Sequence, residues 1–122
     1  MKKKVLVVDD VDAHRACIKS FLLLKSFDVA DAKDGVEALN KSQTQTFDAV
    51  FTDIEMPNMN GLELLTRLRR NDKYKRVPII VVSSVNNPAE IDRAFKLGAT
   101  AYIVKPYTVK KIADVLQQLN FN

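Results

Sequence analysis

Short apolar bursts alternate with helix-periodic segments along the whole chain, and this alternation limits the fold more than any other feature. The bursts are Lys4–Val8, Phe27–Ala32, Ala49–Thr52 with Phe47 just ahead, Val77–Val82 and Ala101–Val104. All are short, and all but the second, which carries Asp28 and Asp31, are nearly continuous in apolar character, as strands buried on both faces are. Pro78 near the start of the fourth run is compatible with a strand beginning there.

Between the bursts the spacing changes to that of a helix. Asp12–Ser26 carries Ala13, Ala16, Cys17, Phe21 and Leu24 at roughly helical intervals, with Cys17 expected as a small core residue. Asp34–Ser42 holds Val36 and Leu39, and Gly61–Arg70 holds Leu62, Leu65 and Leu68. "NNPAE" places Asn87 as an N-cap, Pro88 at the first helical position and Glu90 as the return acid of a capping box. Ile91, Ala94 and Phe95 then face inward, and Gly98 ends that helix. Val109, Ile112, Ala113 and Leu116 mark a last helix.

Five strands alternating with five helices predict an α/β fold: a doubly wound parallel sheet covered on both faces. With no Gly/Ser linker, residues 1–122 read as a single domain. The apolar fraction, 47%, and the charged fraction, 28%, are those of a globular domain. "SFLLL" at Ser20–Leu24 is too short to span a membrane, and the apolar part of "KKKVLVV" is too short for a signal peptide. Cys17 is the one cysteine, so there is no disulfide framework or zinc spacing, and the expected location is the reducing cytoplasm. The net charge of +4 comes largely from "RLRRNDKYKR", Arg67–Arg76. No aromatic interleaving accompanies it, so it reads as a basic helix end and solvated loop, with no nucleic acid as partner.

Right-handed crossovers bring the C-terminal ends of parallel strands to one edge, where ligands of such sheets bind. After the first run come Asp9 and Asp10, after the third Asp53, after the fourth Ser83 and Ser84, and after the fifth Lys105 and Pro106. Close carboxylates repel, so such a set calls for raised pKa values or a cation. All-oxygen acidic surroundings suit a hard divalent ion such as Mg²⁺. A carboxylate can attack phosphorus to give an acyl phosphate, while a metal, a lysine and a hydroxyl offset the charge on the transferring group. Asp53, central at the edge, is the expected nucleophile.

Four segments together resemble the receiver domains of two-component response regulators, over essentially the whole chain: "VLVVDD" at Val5–Asp10, "TDIEMPNMNGLELL" at Thr52–Leu65, "PIIVVSS" at Pro78–Ser84 and "GATAYIVKPY" at Gly98–Tyr107. The resemblance implies the flavodoxin-like strand order 2-1-3-4-5. It implies Asp53 as phosphoacceptor, Asp10 as a direct Mg²⁺ ligand, and Asp9 as the residue orienting metal-bound water. Asp53 and the Glu55 carbonyl complete the metal set. It also implies Ser83 as the switch hydroxyl, Tyr102 as the aromatic that turns inward, Lys105 as the phosphate's partner, and a cis Lys105–Pro106 bond. Glu55 and Val85 match positions that tune acyl-phosphate lifetime. Ser84 stands where alanine is commoner.

The function so implied is a phosphorylation-activated switch. A histidine kinase or histidine phosphotransfer domain would phosphorylate Asp53, the domain assisting its own phosphorylation and dephosphorylation without being an enzyme on an outside substrate. A downstream protein would then bind the Pro88–Gly98 helix, the fifth strand and the last helix, possible in chemotaxis given the single-domain format. The alternatives are a receiver domain excised from a larger regulator or hybrid kinase, and an aspartyl-phosphate phosphatase, for which Glu55 stands at the offset of a general acid. A flavin carrier is disfavoured because "DDVDAH" would repel a phosphate, and a pseudo-receiver because the acids and lysine are intact. His14, the one histidine, reads as an exposed helix position.

Overall fold

All strand pairings are parallel, and the five strands lie in the order β2-β1-β3-β4-β5, as the resemblance implies. The computed structural model describes residues 2–121. The strands are β1 (Lys4–Val8), β2 (Asp28–Ala32), β3 (Ala49–Thr52), β4 (Ile79–Ser83) and β5 (Ala101–Val104). The helices are α1 (Asp12–Leu24), α2 (Gly35–Thr44), α3 (Gly61–Arg70), α4 (Pro88–Lys96) and α5 (Val109–Gln118), with a 3-10 turn at Asp72–Tyr74.

Successive strand residues point to opposite faces. Leu6, Val8, Val50, Ile79 and Val81 pack on α2, α3 and α4 through Ala38, Leu62, Leu64, Leu65, Leu68 and Ala94. Val5, Val7, Phe51, Ile80, Val82 and Ile103 pack on α1 and α5 through Ile18, Leu22, Ile112, Val115 and Leu116. Both faces are apolar, which explains why the strands lack a polar alternation.

The helix ends follow from local chemistry. Asp34 caps α2 by accepting from the Glu37 N–H at 2.8 Å, so that helix begins one residue later than its periodicity indicates. Asn60 caps α3 through the Glu63 N–H at 2.9 Å, and Asn87 caps α4 through the Ala89 N–H at 2.8 Å. Glu90 makes no return bond to Asn87, so the cap lacks its second half. Gly98 follows α4 with φ +116°, a conformation that favours glycine. β4 starts at Ile79 and not Val77, because Pro78 has no N–H for a ladder and the Val77 carbonyl is taken by Arg69.

Two inward faces differ from the sequence expectation. On α1 the buried residues are Ile18 and Leu22, while Ala13, Ala16 and Cys17 are exposed and Leu24 is 84% exposed. Rotating the bulkier side chains inward removes more apolar area from water than burying alanine and cysteine. Cys17 is therefore not a core residue. On α4 only Ala94 is fully buried; Ile91 is partly so and Phe95 is 44% exposed. No helix among the described residues is long and apolar enough to cross a membrane.

Four cations of the basic stretch are engaged by other groups of the fold. Arg67 pairs with Glu63, Lys75 with Asp72, and Lys73 donates to the Ser42 and Gln45 carbonyls. Arg69 folds inward. Its guanidinium donates to the carbonyls of Tyr74, Val77 and Gly98 and to Thr100 Oγ1, tying α3 to the segments before β4 and β5.

Candidate functional site

Three strands end in the residues that matter. Asp9 follows β1, and its N–H continues the ladder to the Ala32 carbonyl at 3.1 Å. Asp53 follows β3, and its N–H reaches the Val8 carbonyl at 3.0 Å. Lys105 follows β5, and its N–H reaches the Ser83 carbonyl at 2.9 Å. Each side chain thus leaves the sheet at a backbone position fixed by a neighbouring strand.

The loop after Asp53 is shaped by a close approach. Gly61 donates its N–H to the Ile54 carbonyl at 2.8 Å, and a Cβ on Gly61 would lie 1.8 Å from the Asp53 carbonyl oxygen. Any side chain there would push the turn off the acid. Asn58, at φ +68°, makes the reversal and donates to Asp34 Oδ2 at 2.8 Å.

At the centre stands Lys105. Its Nζ donates to Asp9 Oδ2 at 2.9 Å and to Asp53 Oδ2 at 3.0 Å. Asp9 and Asp53 are buried, at 2% and 9% exposure, whereas Asp10 is exposed. Carboxylate oxygens of Asp9, Asp10 and Asp53 lie within 4.8 Å of one another. Burial pulls the Lys105 pKa down, but the bonds to Asp9 and Asp53 outweigh it and the net shift is upward. The second oxygens are also held: Asp9 Oδ1 accepts from the Val11 N–H at 2.9 Å, and Asp53 Oδ1 from the Ile54 N–H at 2.6 Å. One ammonium cannot neutralise three carboxylates, so the cluster retains negative charge suited to a hard cation.

The remaining predicted residues flank this centre. Ser83 is fully buried and its Oγ accepts from the Val85 N–H at 3.1 Å. The Tyr102 hydroxyl donates to the Val85 carbonyl at 2.5 Å, and burial raises its pKa. Both hydroxyls therefore hold the same residue, and neither bonds a carboxylate. Glu55 and Ser84 are exposed on the cleft that also holds Asp10, Asp53 and Lys105, and the Glu55 carboxylate is outside the three-acid cluster. The Lys105–Pro106 bond is cis, as expected.

His14 is exposed on α1, as its sequence position implies, yet it also reaches the centre of the site. His14 Nδ1 lies 3.0 Å from Lys105 Nζ and 3.7 Å from Asp9 Oδ2. The signal available was its place four residues after Asp10, in the first turn of α1.

Residues 5–117 match the family model of the response regulator receiver domain. The chain belongs to this family. As a receiver domain it is 39% identical, over 116 residues, to the chemotaxis protein CheY1 of Helicobacter pylori, covering 93% of this chain and 94% of that one. It superposes on the chemotaxis response regulator CheY4 of Vibrio cholerae with a TM-score of 0.92, at 33% identity, covering 98% of this receiver and 99% of that chain. The receiver domain of the sensor histidine kinase PA1611 of Pseudomonas aeruginosa, which has a magnesium ion coordinated in its active-site cleft, shares the fold with a TM-score of 0.87, at 23% identity over 97% of each chain.

Proposed function

We propose that this receiver domain is a phosphorylation-activated switch of a two-component relay, with Asp53 as phosphoacceptor. The observation that carries the reading is the Lys105 ammonium bridging Asp9 and Asp53 where the strands end. In the transfer an Asp53 carboxylate oxygen bonds to phosphorus. The bond from phosphorus to the donor breaks, and its electron pair leaves on the imidazole nitrogen of a phosphohistidine or on the acetate oxygen of acetyl phosphate. Lys105 moves one N–H from Asp53 to a phosphoryl oxygen and offsets the incoming charge. Hydrolysis of the acyl phosphate returns the Asp53 carboxylate and inorganic phosphate, so the domain serves as an acceptor assisting its own turnover.

The donor set fits Mg²⁺, which would be held by Asp10, Asp53 and the Glu55 carbonyl, with Asp9 orienting a bound water. There it would supply positive charge to the phosphoryl oxygens. Ser83 would give up Val85 to bond the phosphoryl group, freeing Tyr102 to rearrange with the loop. The output face is α4, β5 and α5, supported by Phe95, Val104 and Val109, which are 44%, 38% and 51% exposed. A target protein binding there would read the switch, with a histidine kinase or phosphotransfer domain upstream. Likeness to chemotaxis regulators favours a chemotaxis circuit, in the cytoplasm, with residues 1–122 acting as one receiver unit.

Intact mass after incubation with acetyl phosphate tests this. The expected result is a gain of one phosphoryl group with Mg²⁺, none with EDTA, and none in Asp53→Asn. Labelling that persists undiminished in Asp53→Asn sinks the assignment.

A further inference from the structure

The Lys105 ammonium has three N–H donors and no acceptor. Asp9 Oδ2 and Asp53 Oδ2 take two of them, at 2.9 and 3.0 Å. His14 Nδ1 lies 3.0 Å from the same nitrogen, within reach of the third. Because the lysine can only donate, Nδ1 is the acceptor, and in the neutral ring the proton sits on Nε2. Nothing in the receiver chemistry described above employs this ring.

The turn that carries His14 is anchored independently. Asp9 Oδ1 accepts from the Val11 N–H at 2.9 Å, and the Asp9 carbonyl accepts from Arg15 Nη1 at 2.8 Å. Arg15 is fixed in turn by Asp12 and Asp31. His14 stands between Val11 and Arg15, so its backbone is held against the acid that Lys105 also contacts. The imidazole is 48% exposed, and its contacts at this end are with Lys105 Nζ and, at 3.7 Å, Asp9 Oδ2.

We infer that His14 is a positioning residue for phosphoryl transfer: its Nδ1 holds the third N–H of Lys105 and so aims the other two at Asp9 and Asp53. A lysine head ends a flexible stem and rotates freely about its last bond. Each acceptor within hydrogen-bond reach of Nζ narrows that rotation, and His14 Nδ1 is the third. A neutral acceptor does so without cancelling the positive charge that an incoming phosphoryl group needs. The role rests on the switch reading given above, in which Lys105 meets the phosphoryl oxygens.

His14→Leu and His14→Asn separate shape from hydrogen bonding. Leucine fills the space without an acceptor, whereas asparagine Oδ1 occupies about the place of Nδ1. The probe is acetyl phosphate with Mg²⁺, followed as the rate of phosphoryl mass gain. The leucine variant should be slower by about fivefold, the effect of one ordinary hydrogen bond on a barrier, and the asparagine variant should stay within about twofold of wild type. The chain has one histidine, so the ring nitrogen NMR signals at pH 8 need no assignment and should show Nδ1 bare and Nε2 protonated. A ring protonated on Nδ1, a leucine variant as fast as wild type, or an asparagine variant as slow as leucine each overturns the role. A wild-type chain that gains no phosphoryl mass sinks the switch reading itself; wild-type labelling with an unaffected leucine variant removes only His14.

Discussion

Two partly buried cations stand at opposite ends of β5 and are held in opposite ways. Lys105, after the strand, is gripped by two carboxylates and one imidazole. Arg69, before it, is gripped only by neutral oxygens: the carbonyls of Tyr74, Val77 and Gly98 and the Thr100 hydroxyl. Their pKa values move apart accordingly. Burial lowers that of Arg69, with no anion to offset it, while at Lys105 the carboxylate bonds overcome burial and raise it. A cation among anions can trade one partner for another as charge arrives. A planar fork fitted to carbonyls from separate segments has no alternative partner, and it serves to join those segments. One end of the strand is built to exchange contacts and the other to keep them.

Four substitutions press on this contrast. The largest effect belongs to Arg69→Met, which takes the guanidinium donors away from the partly buried carbonyls of Tyr74, Val77 and Gly98. It should lower unfolding free energy by about 2–4 kcal/mol, with Arg69→Lys recovering little because a point charge cannot span the segments. Urea denaturation measures it, and a loss well under ~1 kcal/mol would make the arginine an ordinary surface residue. Next comes Lys105→Ala, which should leave Mg²⁺ binding largely intact while weakening the response of α4 and β5 to phosphorylation. Amide chemical shifts of those elements give the readout, and an unchanged response removes Lys105 from the switch. The smallest effect is alkaline. Since the folded pKa of Lys105 lies above the ordinary 10.5, its contribution to stability is full below that value and fades as pH rises through the folded one. The stability gap between wild type and Lys105→Met should therefore shrink above about pH 10.5, whereas the gap for Arg69→Met stays flat from about pH 7 to 10.

Much of both ends was legible in the chain. The alternation of apolar bursts with helical spacing corresponds to the observed strands and helices, and Asp9, Asp10, Asp53 and Lys105, which follow the first, third and fifth bursts, do converge on one edge. What escaped was whatever depends on rotation or on a distant partner. Ala13, Ala16 and Cys17 have the right spacing for an inward face, yet Ile18 and Leu22 win because larger side chains gain more from burial, and Leu24 lies off the face those two define. Phe95 looked like core, but α4 rests on the sheet side through Ala94 and leaves the ring half in water. His14 acquires its neighbour only once β5 delivers Lys105 from 91 residues away. Arg69 sits in a basic run that reads as solvated, and its role is set by carbonyls whose direction no residue type announces.

The constraint on Gly61 is a matter of space and not of backbone angle. The Asp53 carbonyl occupies the volume a Cβ would need, 1.8 Å away. A glycine eight positions after the acid is thus part of the acid's own housing. When genomes are mined for chains of this kind, a copy that keeps the aspartate but has replaced that glycine should be counted as having lost the loop, whatever the other three segments suggest. A decayed relative can be told from a working one by a residue that never touches the phosphoryl group.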